Sequence, residues 1–175
     1  MNKKQIVDLI TAVILILCGS ILLTFPLFNV INIKIIFASV LGIYTIMNLI
    51  QFGLTYESKD YEGLFTAIAS LIVLLIVLKL NVNEVPWYLA IALFIWIILM
   101  SLIKLKKADY YHDRRNNGWI LKVVCLILFI FTGLLATINL YYTNDVQVLV
   151  LGFFYLIHGI LELLDPLTLY LIEKK

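Results

Sequence analysis

The sequence predicts an all-α polytopic membrane protein, a bundle of six transmembrane helices arranged as three helical hairpins with both termini on the cytoplasmic side. Composition is the first observation behind this prediction. Apolar residues make up 63% of the chain and charged ones 14%, and the mean hydropathy is +1.06. Soluble domains carry roughly 45–50% apolar and about 25% charged residues, and a water-facing surface cannot absorb the surplus. The second observation is a set of six apolar runs, each near the ~20 residues that a helix needs to cross ~30 Å of hydrocarbon. The third is the crowding of cations onto alternate connections.

The first run, 6–25, follows Lys3 and Lys4. It is longer than a signal-peptide core and no small-x-small site follows it, so it reads as a retained span. Bulky Leu17 before Cys18 argues against lipid modification of that thiol. Pro26 and Asn29 mark a turn, and the second span covers 35–52. The connection 53–63 brings Glu57, Lys59, Asp60 and Glu62. The third span, 64–78, is extended by Lys79, whose long stem reaches the interface. A turn over 81–86 ends in Pro86, suited to a helix start, and the fourth span, 87–103, opens on the interfacial anchors Trp87 and Tyr88.

Residues 104–118 are the longest polar stretch and are expected to form a basic cytoplasmic loop. Trp119 opens the fifth span, 120–140; residues 141–145 turn the chain, and the sixth span covers 146–164. Pro166 is expected to end or kink it, leaving an apolar tail. Loops this short leave no soluble domain. Residues 1–175 read as a single membrane domain with hairpins at about 6–52, 64–103 and 120–164.

Orientation follows from the cations. With a cytoplasmic N-terminus, the inner segments hold Lys3, Lys4, Lys59, Lys104, Lys106, Lys107, Arg114, Arg115, Lys122, Lys174 and Lys175, and the outer ones only Lys34 and Lys79. All 13 basic residues are then assigned, with a steep positive-inside bias that points to the inner (plasma) membrane. The net charge of +2 implies no nucleic-acid partner; the expected partners are the bilayer and, through helix packing, further copies or other membrane proteins.

Faces directed into the bundle are marked by small and polar residues at helical spacing. They are Asp8, Thr11, Ala12, Cys18 and Gly19 on the first helix, and Gly42, Thr45 and Asn48 on the second. Gly63, Thr66, Ala67 and Ser70 follow on the third, Cys125, Thr132, Gly133 and Ala136 on the fifth. The sixth carries Gly152, Tyr155, His158, Gly159 and Glu162. Lipid gives no hydrophobic reward for helix association, so close backbone approach must supply the contacts, and Gly19, Gly42, Gly133, Gly152 and Gly159 are the expected packing points. The fourth helix offers only Ala92 and Ser101, and is expected to be the most lipid-exposed.

A repeated layout runs through these runs. Cys18-Gly19-Ser20 with Pro26, then Leu41-Gly42 through Asn48, returns as Thr132-Gly133, then Leu151-Gly152 through His158-Gly159-Ile160. This layout resembles the HdeD-like family of small bacterial membrane proteins over nearly the whole chain. The middle hairpin departs from it, with Ala69 and Ala92 at glycine positions, and Leu49 follows Asn48 where the repeat has Gly159. The resemblance implies three hairpins and a link to acid-stress resistance, and it brings no catalytic residues.

His158 and Glu162 are the sharpest chemical pair. Four residues apart on one face, their side chains can meet. Ionisable groups inside a membrane often mark proton or substrate paths, and histidine is the common proton switch near neutral pH. The competing and simpler reading has His158 in an interhelical hydrogen bond and Glu162 near the cytoplasmic interface, because a relay needs further acids and only Asp8 offers itself. Asn48 and Gln51 line a polar path if the first and third hairpins are pseudo-symmetric; such groups more often serve packing. Lys122, one turn into the fifth helix, is expected to snorkel to the headgroups.

The basic set Lys104, Lys106, Lys107, Arg114 and Arg115 either sets topology or holds anionic lipid. Two cysteines, Cys18 and Cys125, give no metal-ligand spacing and no disulfide framework. Gly-x-Ser-x-Gly, His-Glu-x-x-His and phosphate-cradling glycine loops are absent from the sequence. The sequence therefore predicts a non-enzymatic membrane protein without a cofactor. Its rivals are a small transporter or proton-conducting channel using Asn48, His158 and Glu162, and an accessory subunit of a membrane complex.

Overall fold

Unbroken apolar runs rich in Leu and Ile satisfy every backbone hydrogen bond internally when helical, which is the condition hydrocarbon imposes. A computed structural model describes residues 3–24, 32–79, 87–113, 118–141 and 144–173. The turn residues Pro26, Asn29, Asn81 and Pro86, and the cations Arg114, Arg115, Lys174 and Lys175, lie outside the described residues.

Six helices account for nearly all of the described chain: α1 Lys3–Thr24, α2 Ile33–Thr55, α3 Glu62–Lys79, α4 Trp87–Asp113, α5 Gly118–Leu140 and α6 Asn144–Glu173. All six contain stretches long and apolar enough to cross a membrane. Local chemistry sets several ends. Asn32 caps α2 by accepting from the Lys34 backbone N–H at 2.9 Å. A single 3-10 turn, Tyr56–Ser58, follows α2, with Lys59 left-handed at φ 57°. Asp60 then accepts from the Glu62 backbone N–H at 3.1 Å, and Glu62 places its charge in the first turn of α3, where the helix dipole favours it. At the opposite end the Lys34 ammonium donates to the Leu78 carbonyl at 3.1 Å, closing the last turn of α3.

Each helix contacts those before and after it in sequence, and α6 closes against α1, so the six form a ring in chain order. The most extensive contacts join α1 to α6, α2 to α3 and α4 to α5. All three of these seams lie between the predicted hairpins, and the contacts within each hairpin, α1 with α2, α3 with α4 and α5 with α6, are less extensive. Glycine explains the choice. A Cβ on Gly19 would stand 2.5 Å from the Leu156 nitrogen, one on Gly159 2.8 Å from the Ile16 nitrogen, and one on Gly152 2.9 Å from the Leu22 Cβ. On the other seams Gly63 lies against α2, 2.7 Å from the Asn48 carbonyl by the same measure, and Gly133 against the Ile97 side chain of α4.

Four expectations need correction here. Gly42 is no packing point among the described residues, for a Cβ there would meet none of their atoms within 4 Å beyond its own stretch of helix. The predicted loop at 104–118 is helical as far as Asp113, because Lys104, Lys107, Ala108 and Tyr111 continue the inward-facing stripe of α4 and are paired or buried there. Pro166 does not end α6, which runs on to Glu173; proline removes one backbone bond, and the helix-forming leucines around it carry the turn across. The fourth helix is not the most exposed of the six: Leu89, Ala92, Leu93, Trp96, Ile97 and Met100 line a buried inward face, while Ile91, Phe94, Ile98 and Leu102 stay exposed on the other. Large apolar side chains can fill a ring's interior as well as small ones line it.

Candidate functional site

The centre of the ring is aromatic. The stripe Leu89, Leu93, Trp96 and Met100 turns one face of α4 inward, and Trp96 is held there by donating its indole N–H to the Ser70 hydroxyl of α3 at 3.0 Å. His158 of α6 sits beside it with 0% of its surface exposed. Four rings enclose the imidazole: Trp96 edge-on with centroids at 5.5 Å, Phe129 at 4.9 Å, Tyr44 at 5.7 Å and Phe154 nearly parallel at 5.9 Å. Such arrangements add about 0.5–1.5 kcal/mol per pair beyond the area buried.

Neither imidazole nitrogen has a hydrogen-bond partner among the described residues. The expected interhelical bond is therefore absent among the described residues, with the Tyr44 hydroxyl directed to Glu162 and the Trp96 N–H to Ser70. Glu162 comes closest, with Oε1 3.8 Å from Nε2, beyond hydrogen-bond range. The Tyr155 hydroxyl, also fully buried, has no partner among the described residues either.

One turn from this plug, the interior becomes charged. Glu162 binds the Lys104 ammonium at 2.5 Å and takes a long contact, 3.4 Å, from the Tyr44 hydroxyl. Glu62 binds Lys107 at 2.6 Å and Lys4 at 2.8 Å, and Lys4 also pairs with Asp60. Gln51 donates to Asp8 at 2.8 Å. These bonds tie α4 to α6, α3 to α4, α1 to α3 and α1 to α2. The members come from one end of the bundle: the starts of α1 and α3, the last two turns of α2, and the C-terminal halves of α4 and α6. Taking such charges out of water costs several kcal/mol per ion unless they are paired, and their mutual arrangement supplies the pairing.

The network borders a cavity of about 40 Å³ lined by Asp8, Tyr44, Asn48, Gln51, Glu62, Lys104, Lys107, Lys122 and Glu162. A volume of this order holds a few waters or one small ion. Among the described residues no group of His, Cys, Asp or Glu is placed to hold a metal. His158 does not line the cavity, which stops at Tyr44 and Glu162. Beyond that point Trp96, Phe129, Phe154, Leu93, Phe37 and Leu151 fill the interior.

Of the sequence candidates, Asp8, Asn48, Gln51 and Glu162 do converge on this cavity. Asn48 is already satisfied by its own helix, donating to the Tyr44 carbonyl at 2.8 Å. Lys122 is corrected: its side chain is 6% exposed and turned inward, with the ammonium 5.3 Å from the Tyr111 ring centre. It does not snorkel, because α4 continues past the bilayer edge predicted for it and covers that face of α5. Glu62, Lys104 and Lys107 form the heart of the site, yet the sequence placed them in connecting loops. The signal available was helical spacing, since Glu62 is one turn from Thr66 and Lys104 one turn from Met100. Compared with known proteins, the chain matches no family model, and neither the curated proteins nor the solved structures contain a match.

Proposed function

We propose that the chain is a non-enzymatic integral membrane protein of the inner (plasma) membrane. It crosses six times as three helical hairpins, keeps both termini in the cytoplasm, and serves acid or envelope stress resistance without conducting ions. Membrane insertion is supported by six apolar helices whose outer faces present side chains such as Ile6, Leu17, Ile46, Ile127 and Phe131. Orientation is supported by the gathering of Lys4, Lys59, Lys104, Lys106, Lys107 and Lys122 at one end of the ring, with Lys34 at the other. The stress role rests on the HdeD-like resemblance.

The observation that carries the non-conducting reading is the aromatic plug. A conducting path needs polar or hydrated groups along its length, and here they end at Glu162. The rival transporter or proton channel draws support from the 3.8 Å approach of Glu162 to His158, which sets a buried imidazole one short step from the charged cavity. Proton flux in liposomes separates the two. The protein should add no flux to that of empty vesicles; flux that is present and is lost in both His158→Ala and Glu162→Gln would establish the rival. Cells lacking the chain should survive acid challenge less well than cells carrying it, and equal survival would remove the stress role. Co-purifying membrane proteins in mild detergent would instead favour an accessory subunit.

A further inference from the structure

Beside the charged cavity but outside the ring, a groove of about 790 Å³ opens between the start of α3 and the last turns of α4. Its wall is apolar where it faces away from the bundle: Phe65 is 60% exposed and Leu102 57%. Its rim is basic. Four cations, Lys4, Lys59, Lys106 and Lys107, meet two carboxylates, Asp60 and Glu62, which leaves two positive charges in surplus. Lys4 and Lys107 are the pair spent on those acids. Among the described residues no carboxylate lies within ion-pair distance of Lys59 or Lys106, and both side chains are exposed. Tyr61 and Tyr110 stand at the same level, the residue type that settles where hydrocarbon meets headgroups.

We propose that this groove is a binding site for one anionic phospholipid, with Lys59 and Lys106 on the headgroup phosphate and an acyl chain along Phe65 and Leu102. Charge complementarity picks the occupant. An apolar trough under two uncommitted ammonium groups matches a molecule that is anionic at one end and hydrocarbon at the other. A zwitterionic lipid would supply hydrocarbon and a phosphate, but its own cation would face the surplus positive charge. The leaflet follows from the proposed topology, on which this assignment rests: the groove lies on the side of the cytoplasmic cations.

The test is lipid retention by the purified full-length protein in nanodiscs of mixed phosphatidylglycerol and phosphatidylcholine, read by native mass spectrometry. The wild type should release from the disc carrying phosphatidylglycerol in preference. Each lysine near an anionic surface contributes about fivefold in affinity, so Lys59→Gln with Lys106→Gln should lower the preference about 25-fold. Lys59→Arg with Lys106→Arg should keep it, and Lys34→Gln at the far end should leave it unchanged. Equal retention of the two lipids by the wild type would overturn the proposal, as would a preference that survives the double glutamine variant while helix content stays intact. Both leaflets of the disc are identical, so the result is independent of orientation; a topology reporter found on the wrong side would overturn the orientation and leave the site standing.

Discussion

His158 is a polar side chain in a box of four rings, and its two nitrogens make no hydrogen bond among the described residues. Burying such groups unpaired costs about 1–3 kcal/mol, while the ring itself fills space that only an aromatic can fill. Two substitutions separate these contributions. His158→Ala should lower thermal stability in detergent by about 3 kcal/mol through the void it leaves. His158→Phe should hold or raise it by about 1 kcal/mol, because the shape is kept and the unpaired nitrogens go; a large loss with Phe would show that the nitrogens have a partner in the working protein. Lys59 poses the same kind of question in the backbone. A non-glycine residue at φ 57° costs about 1–2 kcal/mol, so Lys59→Gly should raise the melting temperature while weakening anionic-lipid retention. No rise in stability would mean that the turn is held by its side chain. His158 and Glu162 were legible in the sequence as a pair on one face, whereas the partners of Glu162 were not. Lys104 lies 58 residues away, and no local pattern announces which loop-like lysine will fold inward.

At the scale of helices, α1 and α6 meet most closely, and the glycines on their seam admit one backbone to the other. Where lipid replaces water, contacts of this kind are the main source of helix association. Gly19→Val and Gly159→Val should each separate α1 from α6 and cost about 1–3 kcal/mol, read as early loss of the folded form on heating in detergent. Gly42→Ala should cost nothing and gain up to about 1 kcal/mol of helix propensity, since among the described residues an added Cβ would meet no atom within 4 Å beyond its own stretch of helix. If Gly42→Ala were the damaging change and Gly159→Val the silent one, the seam would be misplaced. Apolar run length identified all six helices, because unbroken apolar runs of this length are long enough for one continuous helix each. Periodicity misjudged α4 for a physical reason: a search for small and polar stripes cannot see a helix whose inward face is Trp96, Leu93 and Met100. The polar stretch after Ile103 looked like a loop because its charges were read as solvated rather than paired.

The molecule as a whole is a ring closed at one end by ion pairs and filled in the middle by aromatic side chains. Its chain order, with α6 returning to α1, was not legible, since ring closure depends on contacts more than 100 residues apart in sequence, such as Tyr44 with Glu162. The charge asymmetry that sets the proposed orientation was fully legible, because it needs only the cations and the span count. If the ion pairs hold the charged end shut, breaking one should matter more than removing both members. Glu162→Gln should destabilise by about 1–3 kcal/mol by leaving Lys104 without its carboxylate, and Lys104→Met with Glu162→Leu should recover most of that loss. No recovery in the double variant would show that each group acts alone. The proposed topology, with this end of the ring in the cytoplasm, depends on which side of a membrane the end occupies. Cysteines placed singly at Lys106 and at Lys34, in a chain with Cys18 and Cys125 replaced, can be exposed to a membrane-impermeant thiol reagent in intact spheroplasts. The position at Lys34 should label at once and the position at Lys106 only after permeabilisation; labelling of Lys106 from outside, or of both positions from the same side, would contradict the account.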